Sequence, residues 1–255
     1  MTTGVLRSYG LEARFEFAKL LRLPAYVVPS FAFPLMFYAF FANVLNHSAG
    51  GGADPSGARE LLANCGAFGV IAAALFGFGV SLAVERGQGW LLLKRASPMP
   101  PAAYLLAKLA SALAFALAIG IAMELLAATY GNVRMPAAAW VTLLVVLALG
   151  SIPFCALGMA LGMLAGPNSA PAIVNVVYLP LSFAGGLWLP MDELPAFFVH
   201  LAPWLPTYHL GRLALASVGA AAFSAVDALA LAGFTVVFLA LAAIGWQRDE
   251  GKLYG

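Results

Sequence analysis

The most obvious deficit of this sequence is charge. Only 9% of its 255 residues are Asp, Glu, Lys or Arg, whereas 63% are hydrophobic. Soluble globular chains carry about 25% charged residues, so this composition excludes an ordinary soluble protein and indicates an integral membrane protein. The formal net charge of +2 is small and its basic residues are scattered. We therefore expect no nucleic-acid partner.

The sequence also lacks motifs that would give it chemistry of its own. It has no G-x-x-x-x-G-K-S/T phosphate loop, because the one Gly-Lys pair, Gly251-Lys252, follows no glycine-rich loop. Its three histidines lack metal-ligand spacing, and Cys65 and Cys155 lie in apolar runs where packing roles are favoured. We expect no catalytic residue, cofactor or metal in this chain, and no ATPase activity of its own.

What the chain has in abundance is long apolar sequence. A helix needs roughly 20 residues to cross about 30 Å of hydrocarbon. Six runs qualify, at about 24–45, 61–84, 102–130, 137–165, 171–189 and 225–246. Because they are continuous rather than alternating, they predict helices and not barrel strands. The predicted fold is an all-α integral membrane protein, one transmembrane domain over residues 1–255 with six transmembrane helices.

The first 23 residues read differently from the runs. Charged residues interrupt them throughout, and they lack the apolar centre and the cleavage site of a signal peptide. They predict an amphipathic helix lying on the membrane, with Phe17, Leu20 and Leu21 at the acyl boundary. A solvated basic leader is the alternative.

The basic residues predict the orientation of the chain. If the N-terminus is cytoplasmic, three basic residues fall on the outer side, Arg59, Arg134 and Arg212, and ten on the cytoplasmic side: Arg7, Arg14, Lys19, Arg22, Arg86, Lys94, Arg95, Lys108, Arg248 and Lys252. Lysine and arginine concentrate in cytoplasmic loops. We therefore expect both termini in the cytoplasm.

Small residues recur every four positions in two of the runs. They are Gly69, Ala73, Gly77 and Ser81 in the second run and Gly158, Gly162 and Gly166 in the fourth. Such stripes let helices approach closely. They predict either packing within the chain or an interface between subunits.

The segment from Glu85 to Lys108 interrupts the apolar sequence with four of the 13 basic residues. It predicts a short amphipathic helix over residues 90–96, which the prolines at 98, 100 and 101 end. Such a segment is a rigid lever rather than a flexible loop, and Glu85 is expected to pair with basic residues of the N-terminal helix.

Two features lie toward the outer side. Residues 190–224 carry two apolar segments too short to span a membrane, which predict re-entrant or interfacial half-helices. Glu124 is an acidic residue inside an apolar run, near the outer end of the third. An intramembrane carboxylate is a functional hypothesis by default; the alternative is an ion pair with Arg134 or Arg212.

Two motifs at this spacing resemble those of the type-2 ABC exporter permeases. The inner motif is Glu85-Arg86-Gly87, continuing through Leu93 to Ser97-Pro98, with Lys108 at the start of the third run. The outer motif contains Ser182, Gly186, Pro190, Pro195 and Pro206-Thr207-Tyr208. With the N-terminal helix and the six runs, the resemblance covers nearly the whole chain.

The resemblance implies a permease that moves an amphipathic or lipid-like substrate out of a bacterial cell across its cytoplasmic membrane. It implies a second permease, a copy or a sister chain, membrane lipid as a further partner, and an ABC ATPase subunit that binds ATP and Mg²⁺. Coupling to that ATPase is expected through Glu85, Arg86, Trp90, Leu92, Leu93, Lys94, Arg95 and Pro98.

The remaining candidate residues fall into two groups. Glu124, Asn175 and Phe183 are expected along the substrate path, and Pro190, Pro195, Pro206 and Tyr208 in an outer lid. Two functions compete with export by ATP hydrolysis. One is an ion-coupled secondary carrier that uses Glu124, and the other is a membrane anchor without transport.

Overall fold

The computed structural model describes residues 2–22, 24–48, 55–91, 93 and 101–254. In that part of the chain all regular structure is helical, which confirms the predicted all-α class. We number the α-helices α1 (Thr2–Leu21), α2 (Pro24–Ser48), α3 (Pro55–Ala74), α4 (Ser81–Gly87), α5 (Pro101–Thr129), α6 (Ala137–Gly150), α7 (Ile152–Leu164), α8 (Ala170–Ala184), α9 (Ala196–Leu201), α10 (Pro206–Ser217) and α11 (Ala225–Tyr254).

Four helical stretches within the described residues are long and apolar enough to cross a membrane. They are Ser56–Gly87, Ala103–Thr129, Ala137–Leu164 and Ala225–Arg248, and they match the second, third, fourth and sixth predicted runs. The first and fifth runs contain shorter apolar segments, Ser30–Val44 and Ala170–Ala184. Every run is therefore helical, and the count of six crossings stays a prediction.

The fifth run is shorter than predicted. Helix α8 has 15 residues and ends at Ala184 instead of 189, so it rises about 22 Å, less than the hydrocarbon thickness of about 30 Å. The chain turns at Gly186, whose φ is +77°. The Thr207 hydroxyl donates to the Leu181 carbonyl at 2.6 Å. The same carbonyl also accepts the Gly185 N–H at 2.9 Å, so this contact from α10 packs against the end of α8, whose last turn its own backbone closes.

Helix α1 docks on the bundle with part of its apolar surface, while Leu11, Phe15 and Leu21 stay exposed. Leu20 is buried, and the rings of Phe17 and Phe115 lie 5.2 Å apart. Of the three predicted lipid contacts only Leu21 is exposed. The prediction for Leu20 was wrong because that side chain is buried in the bundle, and Phe17 is partly buried beside Phe115 of α5. A pattern within α1 cannot reveal such contacts.

The centre of the bundle is built on glycine. Between α3 and α4 the helix widens into a π-helix, Leu75–Val80, and its Gly79 packs against Gly158 of α7. A Cβ at Gly79 would lie 2.7 Å from the Gly158 carbonyl oxygen, and one at Gly162 would lie 2.5 Å from the Gly79 oxygen. The stripe of the fourth run therefore serves packing within the chain, against Gly79 rather than against the predicted stripe of the second run.

The chain between α8 and α11 forms two short helices, α9 and α10. Proline stands at the start of each, Pro195 just before α9 and Pro206 in the first turn of α10, and Pro190 precedes a 3₁₀ turn, Met191–Glu193. Proline fits these positions because a helix start leaves its N–H without an intrahelical partner. Three of the predicted lid residues thus set helix boundaries.

A buried ion pair attaches α10 to α11. His209 Nδ1 lies 2.7 Å from Asp227 Oδ1, and His209 Nε2 lies 3.0 Å from the Pro203 carbonyl oxygen. Arg212 Nε donates to the other oxygen of Asp227 at 3.2 Å and its guanidinium lies over the ring of Tyr208. Asp227 therefore holds the start of α11 against the short helices.

We predict that Gly79→Ala lowers the stability of the purified protein by about 1–3 kcal/mol, because the new methyl group meets backbone that has no rotamer to yield. Gly233→Ala in α11 is the matched control, since a Cβ there meets no atom within 4 Å. The measurement is thermal unfolding in detergent. Equal unfolding temperatures for the two variants would contradict the close approach of the π-helix to α7.

Candidate functional site

A cluster of charged side chains lies where α1, α4 and α5 meet. Its members are Glu16 and Lys19 of α1, Glu85 of α4, and Tyr104 and Lys108 of α5. Glu16, Glu85 and Lys108 are buried. We call these five residues the charge cluster. The two most distant contacting members, Glu16 and Lys108, are 92 positions apart in the sequence. The cluster therefore exists only in the folded bundle.

Lys108 is the centre of the charge cluster. Its Nζ lies 2.8 Å from Glu85 Oε1, 3.2 Å from Glu16 Oε2 and 2.9 Å from Ser81 Oγ. An ammonium group has three N–H donors, so these contacts use its full capacity. Lys108 also lies 5.2 Å from the ring centre of Tyr104.

The other members complete the balance of charge. The Tyr104 hydroxyl donates to Glu85 Oε2 at 2.5 Å. Lys19 contacts Glu85 Oε1 and lies 3.5 Å from Glu16 Oε2. With two carboxylates and two ammonium groups, the charge cluster is neutral as a unit. Burying it is tolerable for that reason, since an unpaired charge in an apolar interior costs several kcal/mol.

The contact between Glu85 and Lys19 confirms that Glu85 pairs with a basic residue of the N-terminal helix. The prediction missed Glu16, Tyr104 and the central position of Lys108. One signal was present: Lys108 stands inside an apolar run, and a lysine there requires an acidic partner.

Arg86 points to a different neighbour from Glu85. Its Nη2 donates to the Ala165 carbonyl at 2.7 Å, and Nη1 donates to the Met163 carbonyl. These carbonyls belong to the C-terminal end of α7, where the helix dipole favours a positive charge. The adjacent residues Glu85 and Arg86 therefore fix the end of α4 to two separate parts of the bundle.

The segment predicted to be a lever begins after a sharp turn. Helix α4 ends at Gly87, and Gly89 has φ of +76°, a conformation that glycine adopts without strain. The chain is helical again at Trp90, Leu91 and Leu93. Gly87 thus ends one helix, and Gly89 lies in the turn that follows it.

The described residues of this segment divide by exposure. Leu91 is buried, Trp90 is exposed and Leu93 is 71% exposed. The other predicted coupling residues, Leu92, Lys94, Arg95 and Pro98, lie outside the described residues. What is described is one anchoring leucine and two apolar side chains open to a partner.

A cleft of about 1370 Å³ adjoins the charge cluster. It lies between α1, α2, the π-helix with α4, and α8, and its wall is mostly apolar. Lining residues include Phe33, Phe76, Tyr178, Asn175, Arg14 and Arg22. Of the predicted path residues only Asn175 lines this cleft.

Phe183 and Glu124 lie elsewhere. The ring of Phe183 packs edge-on against Trp188 at 6.3 Å and against Phe198 at 5.4 Å. Glu124 Oε1 is buried, and no hydrogen-bond partner for it exists among the described residues. The ion pair with Arg134 or Arg212 is absent there, so that expectation was wrong. Arg212 instead pairs with Asp227.

Comparison with known proteins yields one family and one relative. A model of the ABC-2 type transporter family matches residues 9–218, which include the charge cluster, the segment after α4 and the cleft. YvfS of Bacillus subtilis (strain 168), provisionally named as a transport permease, is 28% identical over 236 residues, covering 92% of this chain and 95% of YvfS.

We predict that Lys108→Met destabilises the protein by about 3–5 kcal/mol, because it leaves two buried carboxylates with one ammonium group. The double variant Lys108→Met, Glu85→Gln should recover part of that loss, since it restores neutrality. Glu193→Gln, at an exposed position, is the control. Thermal unfolding compares the four proteins. A double variant less stable than Lys108→Met alone would show that charge balance does not govern the cluster.

Proposed function

The chain belongs to the ABC-2 type transporter family, and from that premise we propose that it exports an amphipathic or lipid-like substrate using ATP hydrolysed by a separate subunit. The chain is a multi-pass membrane permease subunit, and its family implies an ABC ATPase as partner. The observation that carries the proposal is the exposed apolar pair Trp90 and Leu93, placed one turn beyond the charge cluster.

The segment after α4 is well situated to transmit force. It follows Glu85 and Arg86, which join α4 to α1 and α5 on one side and to α7 on the other. The Glu85 carboxylate contacts the ammonium groups of Lys19 and Lys108, and the Arg86 guanidinium donates to a carbonyl at the end of α7. A push on Trp90 and Leu93 is therefore carried into the bundle instead of being absorbed by a loose loop.

ATP and Mg²⁺ would be bound by the ATPase subunit. This chain contributes the docking surface and the moving helices. Its exposed leucine and tryptophan fit a hydrophobic groove on a partner, since aromatic and apolar anchors carry much of the energy at such interfaces.

The cleft is the candidate substrate path. Its apolar wall suits the hydrocarbon part of an amphiphile, and Arg14 and Arg22 place positive charge along its border. Asn175 adds a polar group on α8. Helix α8 borders the cleft with the exposed residues Pro171, Asn175 and Leu179, and a second permease packed on this helix would close the cleft.

The orientation follows from the basic residues. The end that carries α1 and the segment after α4 would face the cytoplasm, in accordance with the excess of lysine and arginine on that side. The short helices α9 and α10 would then form the outer lid, with Pro190, Pro195, Pro206 and Tyr208. A carrier driven through Glu124 is disfavoured, because Glu124 does not line the cleft.

We predict that Leu93→Asp weakens binding of the ATPase subunit about 30-fold or more, as loss of an interface anchor does, while the permease stays folded. Phe223→Asp, 73% exposed between α10 and α11, is the matched control outside the lid helices. Co-purification and substrate-stimulated ATPase activity are the measurements. Normal coupling in Leu93→Asp would refute the docking surface.

We also predict that a cysteine at Val176 forms cross-linked permease dimers in membranes. Val176 is 73% exposed on α8, and the native Cys65 and Cys155 are buried. Leu229→Cys, on α11 and 71% exposed, is the control and should remain uncross-linked. Cross-linking at Leu229 and not at Val176 would place the second permease against α11, and would contradict the predicted interface at α8.

A further inference from the structure

Glu124 occupies a cavity of its own, away from the charge cluster and the cleft. The cavity measures about 280 Å³ and is lined by Ile121, Glu124, Leu125, Ala128, Trp140 and Leu144. These residues belong to α5 and α6. Glu124 is the one ionisable side chain of the lining and is 9% exposed.

Among the described residues Glu124 meets no counter-charge. Its Oε1 is buried without a hydrogen-bond partner, and none of its oxygens forms an ion pair among the described residues. An isolated carboxylate in apolar surroundings is costly, so a partner from outside the chain would stabilise it.

The lining indicates which kind of partner fits. One carboxylate among aliphatic side chains lacks the six or more oxygen ligands that a hard metal ion requires. Trp140 adds an aromatic ring, and its Nε1 donates to the Met135 carbonyl at 3.2 Å, which fixes the indole at the cavity. A carboxylate beside an aromatic ring is a suitable environment for an ammonium group, through ionic and cation–π attraction.

The cavity opens toward the outside of the bundle. Ile121 is 47% exposed and Leu125 is 62% exposed, and both belong to the membrane-spanning helix α5. In a membrane these side chains face acyl chains. A ligand arriving there carries an apolar part along Leu125 and a positive nitrogen that reaches Glu124.

We propose that Glu124 and Trp140 form a site for the ammonium group of an amphiphile, bound from the membrane between α5 and α6. The nitrogen can come from an amine-bearing lipid headgroup or from a free lipophilic ammonium compound, since both present the same chemistry. The site is separate from the proposed substrate path and does not depend on transport.

The test is direct binding to the full chain purified in dodecyl maltoside, a detergent without charge or amine. The probe is radiolabelled dodecyltrimethylammonium, and dodecanol is its neutral counterpart. We expect Glu124→Gln to weaken binding of the cationic probe about 10-fold or more, as loss of a charge-assisted contact does, and to leave binding of dodecanol unchanged. Glu193→Gln is the charge-matched control and should bind as the unmodified protein does.

A second variant keeps the test decisive if Glu124→Gln folds poorly. Ala128 is exposed and lines the cavity, so Ala128→Phe fills it while Glu124 remains. This variant should also lose binding of the cationic probe, with thermal unfolding as the check on folding. Unchanged binding of the cationic probe in either folded variant, or equal losses of the probe and dodecanol in Glu124→Gln, overturns the proposal.

Lipid nanodiscs distinguish the two sources of the ammonium group. The protein is placed in phosphatidylglycerol with increasing phosphatidylethanolamine, or with an uncharged glycolipid instead. Displacement of the probe by phosphatidylethanolamine alone assigns the site to a lipid headgroup. Retention of the probe in both mixtures assigns it to a free lipophilic ammonium compound. Equal displacement by the glycolipid shows that charge is not recognised, and contradicts the proposal.

Discussion

The position of α1 and the end of α4 both depend on one buried lysine. Lys108 stands within a helix long and apolar enough to cross a membrane, and its charge is tolerable there only with acidic partners close by. Glu16 and Glu85 meet it from two other helices at 3.2 and 2.8 Å. If either carboxylate moved away, the remaining charges would be left unbalanced in an apolar interior. The three helices that carry these residues are therefore held together.

The opposite side of α4 is held by contacts of another kind. Glycine packing between the π-helix and α7 leaves no room for a side chain, and Arg86 satisfies carbonyl groups at the end of α7. Packing and charge thus fix the same short helix from two directions. The segment that begins at Trp90 therefore follows a helix that is fixed on two sides.

The sequence predicts the helices better than it predicts their contacts. Composition and run length are local, and they located all six apolar helices. The end of α8 was wrong because the chain turns at Gly186, whose φ is +77°, and the length of an apolar run does not reveal such a turn. Phe17 and Leu20 were assigned to lipid because protein and lipid attract an apolar side chain alike. Pairing of Glu85 with the N-terminal helix was predictable, since few charged groups exist to satisfy one another, whereas the choice of Glu16 and Lys108 required the tertiary structure.

Two of the buried glutamates, Glu85 and Glu124, illustrate what decides the role of a charge at membrane depth. Both are acidic residues in long apolar helices, and composition treats them alike. Glu85 contacts two ammonium groups and a hydroxyl of its own chain. These partners offset the cost of burying its charge, and the contacts hold helices together. Glu124 receives none among the described residues. Because the same electrostatic cost acts on both, the carboxylate that the fold leaves unmatched is the one available to an external cation.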